Sequence, residues 1–293
     1  MSALALTLVL TAALLHAGWN LVVKRAGGGN HFVLLTGILV SVVWAPVALW
    51  AGAMAVGRLG LLEWAVLAAS ALVHVLYFRT LLHGYSVSDL TVVYPVARGS
   101  GPLLTALGAV ALLGERLTLL SAAGAAAVVC GVFLVAGGPA LWRQAHDPAQ
   151  RLRVRRGIAW GAATGGFIAG YSLIDGYAVK VLLLSPILVD YVGNVLRVPV
   201  MAPFALRDPG AFAAAARRQW KPALVVAVFG PMSYLLVLYA VSMAPLSHVA
   251  PAREVSMLFA ALLGGHLLGE GDRWLRLAGA AAIALGVAGL ALG

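Results

Sequence analysis

Arg98 and Arg253 stand in matching surroundings. Each follows an alanine, and each is followed at the same spacing by Leu-Leu-Gly-Glu, at 112–115 and 267–270. A guanidinium presents a rigid, permanently charged fork that suits a carboxylate or a phosphate. Both arginines fall inside apolar runs, where a charge at bilayer depth costs at least about 2.5 kcal/mol. Two readings stand side by side: recognition of a substrate anion, or an internal ion pair with Asp89, Asp175 or Glu254. Asp190 and Arg197 are further charges within apolar runs.

His16, Trp19 and Asn20 are spaced i, i+3, i+4 and share one helix face. Tyr171, Ser172 and Asp175 repeat that pattern, and so do His74, Tyr77 and Phe78. Three such faces from different helices could line one cavity and stack on an apolar or aromatic solute. Helix packing or an interfacial belt is the competing role for the rings. For Trp44, Trp50, Trp64, Trp142, Trp160, Trp220 and Trp274 the belt or a loop is the expectation. Any proton coupling would fall to Asp175, Glu254 or His16, because groups in such places can titrate near neutrality.

The composition says what must position these residues. The chain has 293 residues, of which 62% are hydrophobic and 10% charged. A soluble chain is about a quarter charged. A soluble enzyme, a disordered chain and a secreted disulfide scaffold are therefore excluded, and a polytopic α-helical membrane protein is implied. The lone cysteine, Cys130, permits no internal disulfide or cysteine metal cluster and is expected as an inert core residue. No P-loop, H-E-x-x-H or G-x-S-x-G sequence occurs. No cofactor or metal is expected, and the chain reads as a non-enzyme.

Ten apolar segments are long enough to cross a bilayer, at about 3–23, 32–51, 64–82, 87–113, 119–136, 158–179, 182–206, 222–243, 246–268 and 274–292. The first lacks a basic leading region and a cleavage site, so it is kept as a span rather than a signal peptide. Two loops carry arginine clusters after Asp147-Pro148 and Asp208-Pro209, and both are expected to form short basic helices at the membrane surface. Pro95, Pro102, Pro199, Pro203 and Pro251 are expected to interrupt their spans. The glycine pairs 161/165, 166/170 and 265/269 permit close helix approach. Glu115 and Glu270, at span ends, are expected to bond backbone or to pair with Arg116 or Arg273.

The excess of 20 Lys+Arg over 10 Asp+Glu would suggest nucleic acid in a soluble protein. Here the basic residues fall mainly between spans and read as topology signals and lipid-headgroup contacts, so no nucleic-acid partner is expected. Loops after odd-numbered spans hold 14 of them and the opposite side holds 3, which places both termini outside.

The halves also resemble each other. At a shift of 155, residues 97–132 share 17 identities in 36 positions with 252–287, among them Gly124 with Gly279 and Gly131 with Gly286. At a shift of 152, 17–21 aligns with 169–173. Five spans per half, an odd number, means opposite insertion of the halves, an arrangement common in secondary transporters.

With His16-Ala17-Gly18-Trp19-Asn20, the following Lys24, the Tyr94-Pro95-x-Ala97-Arg98-Gly99 run and the paired Gly-Glu on the page, the chain resembles the drug/metabolite transporter superfamily. Within it, the likeness is to ten-span exporters of two EamA-type repeats. The resemblance implies export or exchange of small metabolites such as amino acids. Members of the family usually keep both termini in the cytoplasm, the reverse of the charge count. Smaller relatives carry a glutamate in the first span, where this chain has only His16.

The expected architecture is thus all-α and integral to the inner membrane: ten transmembrane helices as two inverted five-helix repeats, at 1–137 and 157–293, joined by a basic loop at 138–156. Its expected function is alternating-access transport of a small-molecule substrate, by a monomer or weak homodimer in the lipid bilayer. The expected site comprises His16, Trp19, Asn20, Tyr77, Tyr94, Arg98, Tyr171, Asp175, Arg253 and Glu254. The alternatives are a lipid-linked flippase, a membrane-embedded enzyme and a scaffold.

Overall fold

A computed structural model describes residues 1–135, 148–263 and 273–293. The helices are α1 (Ala3–Ala26), α2 (Asn30–Val43), α3 (Ala45–Val56), α4 (Leu61–Val87), α5 (Leu90–Leu113) and α6 (Leu119–Val135). The second half supplies α7 (Pro148–Lys180), α8 (Pro186–Ala205), α9 (Pro209–Met243), α10 (Leu246–Ala252), a 3₁₀ turn (Arg253–Val255), α11 (Ser256–Leu263) and α12 (Arg273–Leu292). Among the described residues 89% are helical and none lies in a strand. Among the described residues seven helices are long and apolar enough to cross a membrane. The bent pair α2–α3, with a 46° break, makes an eighth candidate. This is a multi-pass membrane protein.

Its outside is apolar, as lipid requires. Leu103, Leu104, Leu107, Leu112 and Leu119 are exposed. The largest buried cluster joins α1, α6, α9, α10 and α12 through Val9, Val128, Val241, Val249 and Ile283. Small residues let these helices close up. At the α6–α12 crossing a Cβ on Gly131 would lie 2.6 Å from the Gly279 carbonyl oxygen, and one on Gly124 would lie 2.7 Å from that of Gly286. Because 124 meets 286 while 131 meets 279, the two helices run antiparallel. Gly161 and Gly165 bring α7 against the α5 backbone, whereas Gly166 faces open space.

Several expectations are corrected here. The basic clusters form no separate surface helices; Arg151–Arg156 and Arg217–Lys221 are turns of the long helices α7 and α9. Asp208 does cap α9, accepting from Ala211 N at 2.8 Å, with Pro209 at its first position. Pro95 and Pro102 lie within an unbroken α5, and Pro199 and Pro203 within an unbroken α8. Their neighbours tolerate them, and only the segment holding Pro251 gives way to a 3₁₀ turn, at Arg253–Val255. Cys130 is exposed on α6 rather than in the core. Trp44 is no belt residue: its indole donates to the Ala227 carbonyl at 2.9 Å. Asp147, Trp142, Gly265, Gly269 and Glu270 lie outside the described residues.

Glu115 shows how the turn after α5 ties the halves together. Gly114 ends the helix with φ 67°, a left-handed geometry that suits glycine. The Glu115 carboxylate then accepts from the backbone N–H groups of Leu246 (2.7 Å) and Ser247 (2.8 Å). It pairs with Lys180, not Arg116, at 3.1 Å, and Lys180 also donates to the Ala244 carbonyl at 2.8 Å. Burial alone would raise this carboxyl, but the Ser247 and Leu246 donors and Lys180 outweigh it and hold it below its ordinary 4.5. Its stabilisation is thus complete above pH 4.5 and is lost as pH falls through the lowered value. Glu115→Gln should lose about 1–3 kcal/mol at neutral pH. It should also flatten the acid limb of melting temperature against pH; an unchanged limb would assign that limb to other groups.

Candidate functional site

The buried charges gather where α4, α5, α7, α9 and the 3₁₀ turn converge. Arg98, on α5, and Arg253, in the turn, are each 8% exposed, and Glu254 is 1% exposed. Arg98 Nε lies 2.9 Å from Glu254 Oε2, and Arg98 Nη2 donates to Ser256 Oγ at 2.9 Å. Its guanidinium carbon stands 5.9 Å from the centre of the Tyr94 ring. Arg98 is therefore engaged by the second half of the chain. Arg253, its repeat counterpart, makes no ion pair among the described residues, and its Nε has no hydrogen-bond partner.

Arg253 instead lines a small closed cavity with Ser172, Gly176, Tyr234, Val249 and Ala250. The free volume is about 10 Å³, roughly room for one water centre. Because α10 stops before Arg253 and the backbone tightens into a 3₁₀ turn, the guanidinium leaves the chain at a break between helices. Such breaks in transporter helices sit beside solute sites.

Asp175, 1% exposed on α7, accepts from Ser70 on α4 at 2.5 Å and from the Tyr234 hydroxyl on α9. It lacks a cation within ion-pair distance among the described residues. Above it the rings form one cluster. His74 stacks on Tyr171 at 3.9 Å between centres, Tyr77 meets Tyr171 edge-on at 5.6 Å, and Tyr234 approaches His74 at 5.9 Å. Tyr234 belongs both to this cluster and to the cavity wall.

The remaining candidates separate. His16 and Trp19 contact edge-on at 4.8 Å, and the Trp19 indole donates to Ser233 beside Tyr234 at 3.3 Å. Asn20 turns back to the His16 carbonyl of its own helix, at 2.8 Å. Phe78 packs apart from His74 and Tyr77, with Val198, Ala202 and Phe212. Asp190 accepts from Asn194 at 3.1 Å, and Arg197 donates to the same Asn194 at 3.4 Å. Asp89 is corrected outright: its side chain is 57% exposed and pairs with Arg153 at 2.9 Å, at a helix end rather than at depth. Ser70, Ser256 and Tyr234 were not among the sequence candidates. A lone hydroxyl in an apolar span was the only signal, and Ser233-Tyr234 within 222–243 was its clearest instance.

Apolar helices around buried, inward-facing charges and rings define a membrane protein with a polar interior site. Residues 155–292 match the model of the EamA-like transporter family, a likeness consistent with the drug/metabolite transporter superfamily. A solved structure described only as "Crystal structure of protein" superposes with a TM-score of 0.74 at 20% identity, covering 100% of this chain and 96% of that chain. At that identity the likeness is one of fold. No curated protein matches. That family is one of transporters rather than enzymes.

Proposed function

We propose that this protein is a secondary transporter, an exporter or exchanger, of small organic metabolites such as amino acids and similar amphipathic solutes. It works by alternating access between two inverted five-helix repeats, ten spans in all, in the inner membrane. The Lys and Arg distribution favours termini on the outside. The observation that carries the reading is Arg253: a guanidinium without an ion-pair partner among the described residues, on the wall of a cavity enclosed by membrane-crossing helices. A permanent charge costs too much at that depth to be left without a partner. A solute carboxylate answers that need, and the rings of Tyr171, Tyr234, His74, Tyr77 and Trp19 offer a face for its apolar body.

The helix pairings support the inverted repeat. α1 packs on α9 as α7 packs on α4, α2 packs on α9 as α8 packs on α4, and α5 meets α7 as the α10–α11 segment meets α1. Repeat-related Gly124 and Gly279 also exchange roles with Gly131 and Gly286 across the antiparallel α6–α12 crossing. Two equivalent helices that run antiparallel belong to halves of opposite orientation.

Purified protein in proteoliposomes loaded with unlabelled amino acids should take up the matching labelled amino acid by saturable counterflow. No counterflow across the panel, with scrambling of labelled lipid instead, would replace this reading with that of a flippase.

A further inference from the structure

The two arginines occupy equivalent places in the repeat, yet their surroundings differ. Arg98 is held by Glu254 at 2.9 Å and by Ser256 at 2.9 Å, over the Tyr94 ring. Arg253 lines the cavity and makes no ion pair among the described residues, while the Nε atoms of both arginines are without a hydrogen-bond partner. Three charges lie together here, two positive and one negative, and the carboxylate is spent on Arg98. One positive charge is left over, on the side chain that faces the hollow. Asp175 forms no ion pair with it: its oxygens accept from the Ser70 and Tyr234 hydroxyls, and among the described residues no arginine stands within ion-pair distance of it. Asp190 and Arg197 share Asn194 on α8.

We propose that the repeat-related arginines divide the work: Arg98 is the fixed counter-ion of Glu254, and Arg253 alone receives the solute's single anionic group, a carboxylate rather than a phosphate-type dianion. This rests on the transporter reading and narrows its substrate class. Arg98 is then a positioning residue. Its task is to keep Glu254 from turning to Arg253, one residue away in the chain, and closing the anion site with an internal salt bridge. A buried charge deprived of its partner seeks another. Charge balance also sets the valence of the ligand: one surplus cation neutralises one negative charge, and a dianion would carry a second, uncompensated charge into a closed apolar hollow.

Four probes with a common phenyl body separate the possibilities: phenylacetate, L-phenylalanine, phenyl phosphate and phenethylamine. The readout is the melting temperature of the full-length protein in detergent. Phenylacetate should raise it by about 5 °C near 100-fold excess over Kd, L-phenylalanine, whose ammonium brings back a surplus charge, should raise it less, and phenyl phosphate and phenethylamine should leave it unmoved. R253Q should erase the response. R98Q should erase it too, because the freed Glu254 captures Arg253, and R98Q/E254Q should restore it. E254Q alone leaves two surplus cations and should gain a response to phenyl phosphate. That gain keeps the test open should R98Q not fold.

A double variant that stays unresponsive, or an E254Q that ignores phenyl phosphate, would overturn the division of roles. A wild type stabilised as well by phenyl phosphate as by phenylacetate would overturn the single-charge rule. A wild type stabilised by none of the four would instead remove the anion site itself, while counterflow in proteoliposomes decides separately whether the protein transports.

Discussion

Arg253→Ala is expected to abolish solute counterflow while the purified protein remains folded and monodisperse. The asymmetry follows from what surrounds this guanidinium. It lines the cavity, is buried, and has neither an ion pair among the described residues nor a partner for Nε. Truncation thus leaves no opposite charge stranded. The loss falls on the solute, whose carboxylate would enter a hollow without its cation, a penalty of about 2–5 kcal/mol or roughly 30- to 1000-fold in apparent affinity. Arg98→Ala contrasts with it. Arg98 neutralises Glu254, 1% exposed, and its removal frees a buried carboxylate that turns to Arg253. Counterflow at the wild-type rate in Arg253→Ala would take this residue out of the site.

The second large effect is expected at the α6–α12 crossing. Gly131→Val or Gly286→Val should cost about 3 kcal/mol or more and yield aggregated or unassembled protein in detergent, because overpacking at a tight contact forces the backbone itself to move. A Cβ at Gly286 would lie 2.6 Å from the Gly124 carbonyl oxygen, and the atom in the way is backbone, which cannot swing aside. Gly166→Val, on α7 with nothing within 4 Å of its added Cβ, serves as the comparison and should leave assembly intact. Equal melting temperatures for Gly131→Val and the wild type would mean that the crossing contributes little to assembly.

Much of this architecture is legible in the residues themselves. The apolar runs locate the helices because length and hydropathy suffice to mark a crossing segment. The 155-residue shift picks out the very glycines that meet at the α6–α12 crossing. Depth and continuity are harder to read. Asp89 stands at the border of an apolar run, and only the neighbouring Arg153, 64 positions along the chain, shows that it lies at an exposed end. The arginines of 151–156 look like a loop because they are basic, yet helix α7 continues through them. Prolines on α5 and α8 look like breaks, whereas both helices continue through them. The break that does occur, at Arg253–Val255, follows a single proline of the same kind.

The site divides in the same way. Periodicity brings Tyr171 and Asp175 onto one face, and the repeat singles out Arg98 and Arg253. Neither reveals that Glu254 sides with Arg98, since that choice depends on how α5 meets the 3₁₀ turn. Ser70 and Tyr234, which hold Asp175, come from two other helices and carry no local pattern. Pairing across the bundle is a property of packing, and one strand of text does not contain it.

The account turns on the Arg253 cavity opening to each side of the membrane in turn. Ala250 is on its wall and 5% exposed, so a cysteine there reports directly on access. With Cys130 replaced by serine and Ala250 by cysteine, a membrane-impermeant maleimide should label the protein in right-side-out vesicles and in inside-out vesicles. A substrate that drives counterflow should change both rates. Labelling from one face only, whatever solute is present, would contradict alternating access through this site.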